Sequence, residues 1–177
     1  MSDILIETLI SEEEITRRIK EIGQQISNDY KGKEILLLCV LKGGVMFMTE
    51  LSKHISIPLK MDFMSVSSYG NEVVSTGVVK ILKDLDEPIN DKHIIIVEDI
   101  IDSGQTLSYL KQLLEGRDPK SIKICTLLDK PQTRKVEVNI DYVGFCIPDE
   151  FVVGYGLDYQ QKYRNLPYIA KVRKEYM

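Results

Sequence analysis

Two apolar runs constrain the fold of this chain more than any other feature. Glu34–Leu41 (EILLLCVL) and His93–Val97 (HIIIV) show almost no polar alternation. A strand with one face in water alternates with a period of two, whereas a strand covered on both faces reads as continuously apolar. Each run ends in a loop of small or polar residues, LKGG after the first and EDIIDSGQT after the second. Each loop then enters a stretch with helical spacing. Strand, loop and helix in repeated order predict an α/β fold, a mostly parallel sheet with helices on both faces. Ligands of such sheets bind beyond the carboxyl ends of the strands, so these loops are the place to look for chemistry.

The remaining segments fit that frame. Ser11-Glu12-Glu13-Glu14 is a capping-box pattern, and Ile15, Ile19, Ile22 and Ile26 follow at helical spacing. They predict an amphipathic helix ending near Gly32. VMFMTELSKHI, after Gly43 and Gly44, predicts a second helix. PLKMDFMSVSS predicts a strand with Leu59, Met61, Phe63 and Ser65 on one face and Lys60, Asp62 and Met64 on the other. VVKILKDL alternates better than a core strand and predicts its antiparallel partner. Thr106–Glu115 predicts a helix stopped by Gly116. SIKICTLLDK, VNIDYVGFCIP and YIAKV predict later strands. With no repeat, low-complexity segment or long linker, the 177 residues predict a single domain, 1–177.

Composition excludes several classes. The net charge is −4 and no basic stripe is visible, which argues against nucleic acid or an anionic membrane as partner. A local basic pocket for a phosphorylated small molecule remains compatible with it. No apolar run approaches the roughly 20 residues of a membrane span. Cys39, Cys125 and Cys146 lie in apolar stretches without CxxC spacing. They read as reduced, buried thiols in a cytoplasmic protein without a signal peptide. His54 and His93 have no metal-ligand spacing, so zinc is not expected.

The acids Glu98, Asp99 and Asp102 follow the most apolar strand and lead into Ser103-Gly104-Gln105-Thr106. A P-loop protein also places an acid at a strand end, but GxxxxGK[ST] is absent, as is GxGxxG. The acids can instead accept hydrogen bonds from vicinal ribose hydroxyls. The small residues let backbone N–H groups approach a phosphate, and the following helix presents its positive end. Asp102, between the two grips, can take or give a proton.

VEDIIDSGQTL resembles the phosphoribosylpyrophosphate-binding signature of type I phosphoribosyltransferases. Further blocks, in order, resemble the hypoxanthine-guanine branch of that family: VLKGG its pyrophosphate loop, SYGN its active-site flap, LLDK the end of a strand carrying a purine-reading lysine, and IPDEFVVGYGLDY its purine-binding segment. They cover the chain from about residue 35 to 165. The resemblance implies the type I phosphoribosyltransferase fold, with a small hood built from the terminal segments, a mobile flap around 68–80 and a purine-binding hood segment around 147–170. It implies transfer of 5-phosphoribosyl from phosphoribosylpyrophosphate to hypoxanthine and guanine, with Mg²⁺ as cofactor and a homodimer or homotetramer as the assembly.

The same resemblance assigns roles. Asp102 is the catalytic base. Glu98, Asp99, Ser103, Gly104, Gln105 and Thr106 bind phosphoribosylpyrophosphate, Gln105 standing where some members carry lysine. Lys42, Gly43 and Arg164 hold pyrophosphate, and Ser68 and Tyr69 belong to the flap. Lys130 donates to the six-oxo group, Phe151 stacks on the purine and Val152 offers backbone groups to its edge. Glu98, Asp99 and Asp158 serve the metal. Two alternatives stay open: the same fold as a nucleotide-responsive, RNA-binding regulator, and a phosphoribosyltransferase for another base such as xanthine or a pyrimidine.

Overall fold

The computed structural model describes residues 5–68 and 79–173. Tyr69 and most of the expected flap lie outside these, and Ser68 is described only in its backbone, as the last residue of a strand.

The two apolar runs form neighbouring parallel strands, β2 (Ile35–Leu41) and β5 (His93–Ile101), at the centre of a six-stranded sheet. The sheet order is β4-β3-β2-β5-β6-β7, with β3 Leu59–Ser68, β4 Val79–Lys83, β6 Ser121–Asp129 and β7 Tyr142–Cys146. All pairings are parallel except the edge pair β3–β4, as the alternation of VVKILKDL predicted. Ile35, Leu37 and Cys39 pack with α1 (Glu12–Asp29) and α2 (Val45–Lys53) on one face. Leu36, Leu38 and Val40 pack with α3 (Gln105–Glu115) on the other. This double covering is the physical reason that β2 has no polar face.

Helix α1 is capped as expected. Ser11 Oγ accepts from Glu14 N–H, and Glu14 Oε2 accepts from Ser11 N–H. Ile15, Ile19, Ile22 and Ile26 are fully buried, each contributing about 1.5–3 kcal/mol. The helix stops at Asp29 rather than near Gly32, which lies in the following turn with φ 75°.

Other expectations need correction. In β3 the buried side chains are Asp62 and Met64, while Met61 is exposed. Asp62 is kept inside by accepting from the backbone N–H groups of Phe63 and Asp86, a partnership alternation cannot reveal. The last parallel strand is only Tyr142–Cys146, because Asp141 ends the preceding loop by accepting from Ile124 N–H. Cys39 and Cys125 are buried thiols, but Cys146 is exposed.

A second sheet comes from the termini. β1 (Leu5–Ile10), not foreseen as a strand, pairs antiparallel with β9 (Ile169–Val172), which pairs with the two-residue β8 (Val152–Val153). This is the expected hood. Ile10, Val152, Leu157 and Ile169 join its interior to the α1/α2 side of the main core.

Candidate active site

Strand β5 runs four residues beyond the expected Val97, so Glu98 and Asp99 belong to the strand rather than to the loop. In register, Glu98 lies opposite Thr126 of β6. The two adjacent acids serve different neighbours. Glu98 lines a cleft of about 190 Å³ together with Ile100, Asp102, Ser103, Gly104 and Thr106. Asp99 is pressed against Gly43 at the end of β2. A Cβ on Gly43 would fall 1.6 Å from Asp99 Oδ2, so no other residue fits there while Asp99 stays in place. The Leu41–Lys42 peptide, at the same corner, is cis.

Burial dominates the electrostatics of this pair. It lifts the Glu98 carboxyl well above the usual carboxylate range, with the Asp99 charge adding to the effect. Asp99 is pushed up to about 6 by burial, partly offset by the N–H of Ile100 and the nearby Arg164 cation. Two neighbouring oxygen-donor acids whose burial favours protons fit a divalent cation that takes the protons' place.

The loop expected to hold a phosphate is shaped from behind. Ser103 C=O accepts from Lys135 N–H at 2.9 Å and Val136 N–H at 3.1 Å. Gly104 adopts the left-handed conformation, φ 79°, and a Cβ there would lie 2.7 Å from Val136 O. Only glycine turns the chain there without strain. The first-turn N–H groups of α3, beginning at Gln105, have no intrahelical acceptors, and Thr106 and Leu107 of that turn line the cleft. Ser103 Oγ accepts weakly from Gln105 N–H at 3.4 Å. Arg134, bonded to buried Asp129, packs its aliphatic stem against the same loop. Neither residue stood out in the sequence; only the fold shows that the segment after Lys130 supports the loop after Asp102.

Asp102 and Lys130 meet. Lys130, at the end of β6, is largely buried, and its N–H donates to Ile101 C=O. Its Nζ lies 3.2 Å from Asp102 Oδ1 and 3.7 Å from Asp149 Oδ1. Asp149 was not singled out, although it stands within IPDEFVV. Phe151 is 39% exposed and meets Tyr159 edge-on at 5.9 Å between ring centroids. Val152 is buried, with its backbone paired to Lys171 in the hood.

The third group forms around Arg164. Its Nη1 donates to Gly156 C=O at 2.7 Å, and its Nη2 contacts Asp158 Oδ1 at 2.6 Å and Gln161 Oε1 at 3.2 Å. Asp158 Oδ2 accepts from Gln161 N–H, and Gln161 Oε1 also accepts from Lys42 Nζ at 3.4 Å. Lys42, far in sequence from Asp158 and Arg164, thereby shares one network with them. Gln161, with φ 63°, is its unforeseen hub. Its position depends on a left-handed turn that residue type does not signal. Asp158 points to Arg164 here, and among the described residues no three His, Cys, Asp or Glu converge on one point.

Comparison with known proteins gives concordant results. Residues 7–160 match the family model described as a phosphoribosyl transferase domain. A hypoxanthine-guanine phosphoribosyltransferase of Bacillus subtilis is 57% identical over 165 residues, 93% of this chain and 92% of the relative. A bifunctional TilS/HprT protein of Listeria monocytogenes is 52% identical over 99% of this chain, which spans only 27% of that relative's length. The crystal structure of a hypoxanthine-guanine phosphoribosyltransferase from Bacillus anthracis superposes with a TM-score of 0.92 at 53% identity, covering 96% of this chain and 99% of the other.

Proposed function

From the premise that this chain belongs to the phosphoribosyl transferase domain family, we propose that it transfers 5-phosphoribosyl from phosphoribosylpyrophosphate to hypoxanthine and guanine, giving IMP and GMP plus pyrophosphate. The observation that carries this reading is the approach of Lys130 Nζ to Asp102 Oδ1, 3.2 Å, across the ends of β5 and β6. A six-oxopurine needs an ammonium donor for its carbonyl oxygen and an acceptor for its ring-nitrogen proton, and here the two stand together beside a phosphate loop.

On this reading the 5-phosphate occupies the cradle of Ser103, Gly104, Gln105 and Thr106, where first-turn N–H groups and the helix dipole favour an anion. Glu98 and Asp99 orient the ribose hydroxyls. Lys130 fixes the six-oxo group, Phe151 covers the ring face and the backbone at Val152 meets the base edge. As the bond to pyrophosphate lengthens, positive charge grows on the sugar and negative charge on the leaving group. Lys42, the backbone at Gly43 and Arg164 stabilise that leaving group. The purine ring nitrogen attacks the anomeric carbon and passes its proton to Asp102. Glu98, Asp99 and Asp158 would hold Mg²⁺, which would supply charge neutralisation on the pyrophosphate. Ser68 and Tyr69 would close the flap over the reacting atoms and exclude water.

Among the described residues no helix is long and apolar enough to cross a membrane. Cytoplasmic location, and a homodimer or homotetramer, complete the proposal. The test is product formation with hypoxanthine, guanine, xanthine and adenine, run in wild type and Asp102→Asn. Turnover of the first two, little with adenine and a loss of about 10²–10⁴ in rate for the variant are expected. Undiminished turnover in Asp102→Asn would remove Asp102 as the base. Binding of phosphoribosylpyrophosphate without turnover of any base would favour the regulatory alternative.

A further inference from the structure

The opposite end of the sheet carries a second concave site that the reaction does not use. Lys33 precedes β2, Lys60 is the second residue of β3, Lys92 precedes β5 and Lys120 precedes β6. These four strands are consecutive in the sheet, and the register places Ile35 opposite both Leu59 and His93, and His93 opposite Ser121. The parallel arrangement therefore gathers four lysines along one edge, across three strand spacings, roughly 14 Å. They line a cavity of about 290 Å³ with His93 in its wall. Asp99 lies six residue steps along β5 from His93, so this cavity lies roughly 20 Å from the acids of the candidate active site.

We infer that this cavity is a binding site for a small polyanion carrying two or more phosphate groups. Its charge is only partly matched by the protein. Glu87 Oε2 reaches Lys92 at 3.2 Å and Lys60 at 3.8 Å, one carboxylate shared by two ammonium groups. Among the described residues no carboxylate lies within 4 Å of Lys33 or Lys120. Glu34 and Asp91 also line the cavity and cap its affinity. Lys33 Nζ instead lies 5.5 Å over the Tyr30 ring, which meets the His93 ring edge-on at 5.3 Å. The His93 imidazole, hydrogen-bonded to Ser121 Oγ at 2.7 Å, is depressed in pKa by burial first and then by the Lys33 and Lys120 charges. Both lysines line the same cavity as the imidazole. The frame is rigid, since Lys120 N–H donates to Lys92 C=O at 2.8 Å and Asp91 N–H to Asp118 C=O at 3.0 Å. Lysines without arginine make point-charge contacts that suit phosphate oxygens in any orientation. A row this long is matched by linked phosphates better than by one.

The chain has two histidines, so proton NMR reads His93 directly, with His54 as the internal control. The probe is inorganic pyrophosphate in magnesium-free buffer containing EDTA, compared with sodium chloride at equal ionic strength. If pyrophosphate binds ten times more tightly to the imidazolium form, reciprocity raises the His93 pKa by about one unit. We expect a saturable upward shift at His93 and none at His54. It should persist in Arg164→Ala and vanish in Lys33→Ala/Lys120→Ala, which keeps its turnover of hypoxanthine. Backbone amide shifts at Gly32, Lys33, Asp91 and Lys120 in the unmutated protein give the same answer should that double variant fold poorly. Three results would overturn the proposal: no shift beyond the chloride control, an equal shift in the lysine variant, or a shift lost only in Arg164→Ala, which would put the anion in the active site. The inference is independent of which base the active site uses, so failure of either leaves the other standing.

Discussion

Replacing Asp99 by asparagine should stabilise the free protein, although Asp99 belongs to the candidate site. The folded chain holds the Asp99 proton up to about pH 6, whereas the unfolded carboxyl releases it near its ordinary value of 3.8. Between those values the folded state binds more protons than the unfolded state, so stability falls as pH rises. Integrating that difference, the ionised Asp99 costs the fold about 3 kcal/mol at pH 7 and about 1 kcal/mol at pH 4.5. Asparagine keeps the shape and an oxygen to accept Ile100 N–H, but carries no charge to desolvate. Asp99→Asn should therefore gain up to about 3 kcal/mol at pH 7, less whatever its amide loses in partners, and the gain should shrink to about 1 kcal/mol at pH 4.5. Urea unfolding of metal-free protein at both pH values, in wild type and variant, measures this directly. In the same variant, turnover with phosphoribosylpyrophosphate should fall sharply and extra Mg²⁺ should not restore it. A variant less stable than wild type at pH 7, or a gain that does not change with pH, would refute the argument that desolvation of this charge outweighs the contacts it makes.

Other expectations follow from single contacts. Gly43→Ala forces a Cβ to 1.6 Å from Asp99 Oδ2 and should cost about 1–3 kcal/mol or more, with activity lost. Adding Asp99→Ala should recover much of the melting temperature but none of the activity. Lys130→Met should lower kcat/KM for hypoxanthine by about 10²-fold, roughly the value of a buried charged hydrogen bond, and narrow the preference over adenine in parallel steady-state assays. Arg164→Lys cannot span both Gly156 C=O and Asp158 and should raise KM for phosphoribosylpyrophosphate more than it changes purine KM. Ser11→Ala removes the α1 cap and should cost about 1 kcal/mol in urea unfolding without altering turnover.

The central fold was legible because burial on both faces leaves a simple mark: EILLLCVL and HIIIV could be little else than inner parallel strands. The end of β5 was not legible, because polar residues inside a strand look like the start of a loop when their partners come from elsewhere in the chain. Asp62 misled for the same reason, its burial resting on the N–H of Asp86. β1 escaped notice because a short strand owes its existence to its partner, and β9 comes from the far end of the chain, Leu5 facing Val172. At the site, the acids and the small-residue loop were readable as local chemistry. Lys42, Lys130 and Arg164 acquired roles only through resemblance. Gln161, Asp149 and the Arg134–Asp129 brace were invisible, since each matters only for what stands beside it in space.

The pairing of Lys130 with Asp102 has a consequence for how discrimination among bases is expressed. In the free protein the donor and the acceptor satisfy each other. On the proposed reading, a six-oxopurine would draw the ammonium to its own oxygen and thereby release the carboxylate to collect the ring proton. A base without that oxygen would give Lys130 no reason to leave, and the carboxylate would stay engaged. The wrong base would then lie in the pocket, stacked on Phe151, with its proton acceptor withheld. Rejection would be written in the turnover number and not in the dissociation constant, and such a base would behave as a competitive inhibitor of the one it resembles.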